Sequence, residues 1–471
     1  MRKSWIIMAV LLALSVTLIV SAVVVMADQH DTIVVQEQTL RGDPAAAEGL
    51  TIVSKVLSGR HLVWETTYQA GSDPRPKTAF SYHDQAQYPV SEAEGWFTLD
   101  IAGINYGMSG TVDLEEAVDL DNYEEHGFHN NMLLPALDVS KEVKANEELT
   151  KQVRLSDYYE YFPVDANYSL INPAMRYRGN SLMLYKFFND YFRIPVPEEL
   201  LVDVTVSKDE AGQVYNVDMY ESSGEISVGT TAWTSSVVTE EGVFFGLFGN
   251  ADFSEIKGGY GLYWVPVEFK EGDSFATGVS WGTSADTVYL REECCNIYPM
   301  EPSGQEGNLY VSEDGSRLFA LIWEQDTTRM VVFDAATRQV LQELDLGMKK
   351  MPTLWHQENL FVLLNREGGK DRMQVWLLQD GRLELWLETE PYPFGPDASY
   401  GWYQEPELCF NGEKLAINRY RNDFDRATSR LQIYDQTGLL YVGDYYHNGD
   451  TLPERLEVWN HRGPDMYWDT E

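Results

Sequence analysis

Leu309-Tyr-Val-Ser312, the turn Asp314-Gly315, Leu318-Phe-Ala-Leu-Ile-Trp323, Met330-Val-Val-Phe-Asp334 and Leu341-Gln-Glu-Leu-Asp-Leu346 form four short apolar runs separated by turn residues. The pattern returns twice. The second copy reads Thr353-Leu-Trp355, Leu360-Phe-Val-Leu-Leu364, Met373-Gln-Val-Trp-Leu377, a turn at Asp380-Gly381, and Leu383-Glu-Leu-Trp-Leu387. The third reads Leu408-Cys-Phe410, a turn at Asn411-Gly412, Leu415-Ala-Ile417, Leu431-Gln-Ile-Tyr-Asp435, and Leu439-Leu-Tyr-Val442. Short runs rich in Val, Ile, Leu and aromatic residues read as strands. The Asp-Gly and Asn-Gly pairs between them supply the positive φ that tight hairpin turns need.

The spacing makes this a repeat. The second strand begins at Leu318, Leu360 and Leu415, steps of 42 and 55. The third is anchored by Phe333, Trp376 and Tyr434, steps of 43 and 58. The fourth begins at Leu341, Leu383 and Leu439, steps of 42 and 56. Every ladder puts its extra length in the last interval, and the Pro/Gly-rich stretch 391–400 sits there as one insertion. The remaining period is that of one four-stranded blade. Ser312-Glu-Asp-Gly-Ser-Arg-Leu-Phe-Ala-Leu321, followed by Val331-Val-Phe-Asp-Ala-Ala-Thr-Arg338, resembles the YVTN-type pattern, departing from it at Glu313 where that pattern favours proline. The wider resemblance is to the β-propeller superfamily, including TolB-like and WD-repeat-like blades, and is clearest over residues 305–445. It implies an all-β fold, a β-propeller of about seven four-stranded blades, with six or eight also compatible. A pair of β-sandwiches is the competing architecture.

The N-terminus bears on compartment. Arg2 and Lys3 precede residues 4–27, a stretch of 24 residues without a charge. That length suits a transmembrane helix, and the basic flank would keep it on the cytoplasmic side. Everything beyond Ala27 is then expected to be extracytoplasmic. A cleaved signal peptide ending at Val25-Met-Ala27 is the alternative, and the product would then be secreted. The expected organisation is an anchor or signal over 1–27, a linker over 28–48 containing a short strand at Thr32-Ile-Val-Val35, and a propeller over 49–471 with an irregular insertion around 103–150.

Acidic residues number 74 against 35 basic, a net charge of −39. Such a field repels nucleic acid and anionic surfaces and favours cationic ligands. Three cysteines are too few for a disulfide framework, so Cys294, Cys295 and Cys409 are expected as buried free thiols.

Residues 49–101 read as a first blade, with strands at Leu50-Thr-Ile-Val53, Leu62-Val-Trp-Glu-Thr-Thr-Tyr68, Thr78-Ala-Phe-Ser-Tyr82 and Gly95-Trp-Phe-Thr-Leu-Asp-Ile101. Residues 153–163 read as a strand, and 181–192 fit helix or strand. Leu200-Leu-Val-Asp-Val-Thr-Val206 and Val214-Tyr-Asn-Val-Asp-Met219 read as a hairpin. Another blade is expected from Thr231-Ala-Trp-Thr234, residues 242–248, residues 261–267 and Phe275-Ala-Thr-Gly-Val279. Closure of a propeller needs a strand from each chain end, and residues 50–53 or Arg455-Leu-Glu-Val-Trp459 are the candidates.

Catalytic signatures are weak. There is no Gly-x-Ser-x-Gly elbow, Walker loop or His-Glu-x-x-His. His126 and His129, three apart beside Glu124 and Glu125, form a candidate divalent-metal pair lacking an identified third ligand. No cofactor is otherwise expected. Asp119-Leu-Asp121 and Asp423-Phe-Asp425 lack the rest of a calcium loop. The aromatic residues Tyr392, Phe394, Tyr400, Trp402 and Tyr403 crowd the insertion and are candidate ligand contacts. The sequence therefore reads as a membrane-anchored, non-enzymatic binding or scaffold module for a protein, peptide or glycan. Two alternatives stand beside it: a propeller enzyme such as a glycoside hydrolase using paired carboxylates, and an envelope sensor or assembly factor.

Overall fold

The computed structural model describes residues 2–30, 35–58, 62–71, 76–82, 95–101, 106–118, 132–169, 182–222, 232–239, 241–249, 251–271, 286–301, 306–367, 370–393, 406–423, 426–447 and 465–469. Their regular structure is mostly antiparallel strand. In spatial order, sheet I is Asp465–Trp468, Leu50–Ser58, Leu62–Gln69 and Lys77–Tyr82. Sheet II is Tyr106–Val112, Val214–Glu221, Leu201–Lys208 and Glu148–Arg154. A two-stranded ribbon pairs Trp96–Ile101 with Val164–Ser169. Sheet III is Ala232–Val238, Gly242–Gly249, Gly261–Glu271 and Asp286–Leu290, with Cys295–Pro299 also on its third strand. Sheet IV is Glu306–Val311, Arg317–Glu324, Thr327–Asp334 and Val340–Asp345. Sheet V is Thr353–Gln357, Leu360–Glu367, Lys370–Gln379 and Arg382–Thr389. Sheet VI is Val35–Gly42, Gly438–His447, Arg426–Asp435, Leu415–Asp423 and Glu407–Phe410. The helices are α1 (Arg2–His30), α2 (Leu114–Ala117), α3 (Leu134–Ser140) and α4 (Leu182–Tyr191). Sheets III, IV and V run as meanders, as β-propeller blades do and the repeat implied; sheets I and VI are meanders extended by a strand from the far end of the chain, and sheet II departs from the pattern, with Tyr106–Val112 paired on Val214–Glu221.

Sheets IV, V and VI are the three sequence copies, and one irregularity marks them as copies. A β-bulge falls between Val332 and Phe333, between Val375 and Trp376, and between Ile433 and Tyr434. Each time the fourth strand carries one extra residue opposite the aromatic anchor, which increases local twist. The bulge corrects one ladder. Phe333 faces Leu318 and Tyr434 faces Leu415, but Trp376 faces Phe361, not Leu360. Phe361 is therefore the register equivalent of Leu318 and Leu415. A one-residue slip swaps the faces of a strand, so Leu360 belongs to the opposite face.

The chain divides into two compact units, Met1–Val90 with Pro352–Glu471, and Ser91–Met351. In the first, sheet VI is buried on both sides. Leu415, Ile417 and Tyr434 pack with Trp355, Leu360, Val362 and Met373 of sheet V. The intervening residues Ala416, Leu431 and Ile433 pack with Leu50, Ile52 and Tyr68 of sheet I. Alternate residues of one strand thus serve two neighbours, which is why these strands read as nearly continuous apolar runs. Each buried Leu or Ile contributes about 1.5–3 kcal/mol.

In the second unit, Phe244, Phe248 and Leu262 of sheet III pack against Leu318, Ala320, Ile322, Val331 and Phe333 of sheet IV. A larger core joins sheets II and III, the ribbon, α3 and α4. There Phe245 stacks near Phe97 (4.9 Å), Phe192 (5.7 Å) and Tyr263 (5.4 Å). The ribbon lies beside sheet III through side-chain hydroxyls. Thr234 Oγ1 accepts from Leu99 N (3.1 Å) and donates to Leu99 O (2.9 Å), and Ser236 Oγ donates to Phe97 O (2.5 Å).

Six sheets of four or five strands plus the ribbon stand where about seven blades were expected among the described residues. Val35–Gly42, placed in a linker, is instead a strand paired along Gly438–His447. Trp96–Ile101 is not the fourth strand of the first blade but half of the ribbon. Residues 153–163 hold only the end of a strand, because Leu155–Asp157 turns into a 3-10 helix. The 181–192 stretch contains helix α4. Closure does use residues 50–53, whose partner is Asp465–Trp468. Residues 455–459 and 275–279 lie outside the described residues. The transmembrane helix expected over residues 4–27 is not found among the described residues. Counting the described residues alone, no helix is long and apolar enough to cross a membrane. Within α1 the described side chains run unbroken only over residues 10–21.

Two stability effects follow from this packing. A Cβ on Gly307 would lie 2.3 Å from the ring of the fully buried Phe248. Gly307→Ala should therefore lower unfolding free energy by about 1–3 kcal/mol through overpacking, read as a lower urea midpoint. A chain ending at Gly463 loses the strand that covers Leu50 and Ile52 in sheet I. It should lose about 2–4 kcal/mol by the same measurement, and an unchanged midpoint would refute the closing role of that strand.

Candidate functional site

In the unit formed by Met1–Val90 and Pro352–Glu471, the ends of sheets I, V and VI enclose a groove of about 1300 Å³. Sheet V supplies the hairpin 357–360 and residues 377–379. Sheet VI supplies 408–411 with Glu413 and Lys414, and the third side is made by Glu48, Gly49 and residues 466–469. Hairpin turns and strand ends form the rim together, Glu407–Phe410 and Asp465–Trp468 among the strands, and Leu360, Leu377 and Leu408 join it to the core beneath.

The rim is tied by hydrogen bonds. Asn411 Oδ1 accepts from Glu413 N (3.0 Å) and Lys414 N (2.8 Å), an Asx-type turn that holds both residues at the groove. Lys414 Nζ donates to Ala46 O at 3.0 Å and lies 5.8 Å from the Trp468 ring centroid. Trp468 Nε1 donates to Cys409 O at 3.4 Å. Gln357 Oε1 accepts from Leu408 N at 3.0 Å, joining sheets V and VI. Asp469 accepts from Thr51 Oγ1 (2.9 Å) and Gln69 Nε2 (3.2 Å). Glu358 occupies the left-handed region at φ 51°. That conformation costs a non-glycine residue about 1–2 kcal/mol, and here a carboxylate side chain is carried at the site of strain.

The chemistry is acidic and aromatic. Glu48, Glu358, Glu413 and Asp469 are exposed along the groove, against the one cation Lys414 among its lining residues. Phe410 and Trp468 are half-buried in its wall, and Tyr467 is 50% exposed. Cys409 also lines it. Burial, with Glu358 and Glu407 nearby, raises the Cys409 thiol above its ordinary pKa, so it is a protonated and weak nucleophile. The groove is thus built to attract positive charge and to cover a flat or apolar group.

Of the residues expected from sequence, Tyr392 is fastened to sheet VI. Its N donates to Tyr434 Oη (3.4 Å) and its carbonyl accepts from Gln432 Nε2 (3.1 Å). The Arg430 guanidinium lies 5.9 Å from its ring centroid, and Arg430 donates to Pro393 O at 3.0 Å. Phe394, Tyr400, Trp402, Tyr403, His126 and His129 lie outside the described residues. Among the described residues no group of three or more His, Cys, Asp and Glu is set to hold a metal ion. The insertion enters sheet VI at Glu407, whereas the groove lies at the far end of that strand around Phe410 and Asn411. Sequence reasoning missed the groove because its parts are separated by hundreds of positions. The available signals were glutamates in hairpin turns and the terminal Met466-Tyr467-Trp468.

No protein-family model matches this chain, and no curated protein matches it. Solved structures do. One is a provisionally named 6-phosphogluconolactonase from Bacteroides fragilis NCTC 9343, with 10% identity over 85% of this chain and 95% of that one, at a TM-score of 0.30. Another is a hypothetical selenium-binding protein from Sulfolobus tokodaii, with 9% identity over 64% and 74%, at 0.24. A protein from Lactobacillus plantarum gives 10% identity over 84% and 98%, at 0.27. All three TM-scores are below 0.5, so these likenesses carry no inference about what this chain binds or does.

The three thiols are free and differ in environment. Burial pushes Cys294 up to about 12, while Cys295 is exposed. At pH 8, iodoacetamide should therefore modify Cys295 at least about tenfold faster than Cys294 or Cys409, because only thiolate reacts. Fragment-ion mass spectrometry over time reads the rates, and equal labelling would contradict these environments.

Proposed function

We propose that this chain is a membrane-anchored, extracytoplasmic β-propeller-type binding module that takes a protein, peptide or glycan in the groove of sheets I, V and VI. The groove carries the reading. Its volume of about 1300 Å³ exceeds the usual range of small-molecule pockets, about 300–1,000 Å³. Its rim is cross-linked by Asn411, Gln357 and Asp469, which favours binding by a preformed surface. Anchoring is supported by residues 4–27 and by the eleven described large apolar side chains of α1, from Ile7 to Val24, all exposed. Exposed apolar side chains that no described residue covers suit contact with lipid. Arg2 and Lys3 would face the cytoplasm and the sheets the outside.

The two parts of the proposal are separately testable in intact cells. A membrane-impermeant maleimide should label the exposed Cys295 without lysis, with Cys295→Ser as the blank. Protection until lysis would place the sheets on the wrong side. A photo-crosslinking amino acid at position 467 should capture a partner, whereas the same group at the exposed position 220 of sheet II should not. Capture at both positions or at neither would reject the groove as the contact surface.

A further inference from the structure

We infer that the groove of sheets I, V and VI receives a basic peptide segment, one carrying Arg or Lys beside an aromatic residue. This rests on the binding-module reading and names its ligand class. The first argument is charge complementarity. Glu48, Glu358 and Glu413 come from three different sheets or their flanking turns, and all are exposed toward one cavity. Asp469 is held by Thr51 and Gln69, which fixes a further carboxylate in place. Lys414, the cation in the wall, is already committed to Ala46 O and the Trp468 ring. The groove therefore keeps an acidic excess that an incoming cation would balance.

The second argument is shape. A cavity of about 1300 Å³ accommodates several residues rather than a single metabolite. Tyr467 stands half-exposed beside the half-buried Trp468 and Phe410, giving a flat surface for a guanidinium or an aromatic side chain. The third argument is the approach. With a net charge of −39, the whole chain draws cations and repels acidic competitors, so charge selects the partner before contact. A neutral glycan could hydrogen-bond the carboxylates but would leave their charge unbalanced.

The test uses the full chain in detergent micelles and a fluorescein-labelled nonapeptide of three arginine–tryptophan–glycine repeats, followed by fluorescence anisotropy. An acidic twin with glutamate for arginine is the ligand control. The triple variant Glu48→Gln, Glu358→Gln, Glu413→Gln should weaken binding at least about tenfold, and Tyr467→Ala should weaken it about threefold or more. A charge-matched triple in the other unit, Glu147→Gln, Glu210→Gln, Glu313→Gln, should change it less than about twofold if binding is local. Equal loss in the two triples overturns the inference, since attraction would then be diffuse. Equal binding of the acidic twin, or no binding of the basic peptide, also overturns it. If the basic peptide fails while position 467 still captures a partner in cells, the ligand class falls and the binding module stands. If both fail, both fall.

Discussion

Burial of both faces of a sheet between two neighbours is the constraint from which the rest follows. Sheet VI shows it most fully. Leu415 and Ile417 turn to sheet V, while Ala416 between them turns to sheet I. Neither face meets water, so neither can tolerate the polar residues that a solvated sheet carries on alternate positions. Several polar groups that enter this interior are matched, although Asn418 Nδ2 has no partner among the described residues. Ser429 Oγ donates to Asn418 Oδ1, Tyr434 Oη donates to Gln432 Oε1, and Arg430 holds Asp444 with two bonds of 2.6 and 2.8 Å. An unpaired group at such positions would cost about 1–3 kcal/mol.

A stack of this kind leaves unpaired strand edges at its ends, and the chain uses its two termini on them. Val35–Gly42 adds to the edge of sheet VI, and Asp465–Trp468 adds to the edge of sheet I. Both pairings join residues about four hundred positions apart, so they bring large loop-closure entropy and come late in any folding sequence. Tyr441 Oη donates to Glu37, and Gly71 N donates to Tyr445 Oη at 3.2 Å, so the early strands are also fixed by side chains of the last copy. The unit formed by the chain ends is for this reason a cooperative structure rather than a local one.

What was legible in the sequence tracks how many residues each element buries. The three copies were visible because their second and third strands carry runs of buried apolar positions, and the ladders even located the insertion. The bulge was not visible, since an extra residue on one strand leaves composition unchanged, and it hid the one-residue offset of Leu360. Val35–Gly42 read as spacer because Val35 alone is fully buried among polar neighbours. Asp465–Trp468 was missed because four residues give no period. Trp96–Ile101 has the right alternation, but alternation does not name a partner, and long-range pairing sent it to Val164–Ser169. The groove was illegible for the same reason. Its carboxylates come from turns at positions 48, 358 and 413 and from Asp469 just past the last strand, and only the stacking of three sheets brings them together.

That division of labour has a consequence for where recognition can reside. Strand residues are held by two neighbours and can change only with compensation on both sides. Turn residues at the strand ends answer to one local requirement, the backbone geometry of the hairpin. Glu358 exceeds that requirement, because glycine or asparagine would meet φ 51° with less strain. Glu413 lies in a turn whose geometry is set by Asn411, and among the described residues its exposed carboxylate has no hydrogen-bond or ion-pair partner. Lys414 is the opposite case, a charge spent on joining the turn to Ala46 and Trp468. Among the lining residues of this groove, negative charge therefore exceeds positive. It lies in the same groove as Tyr467, an aromatic side chain that the core leaves half-exposed. If the proposed basic segment binds there, exposed carboxylates and half-exposed aromatic surface on a hydrogen-bonded rim would recognise it without disturbing the sheets beneath.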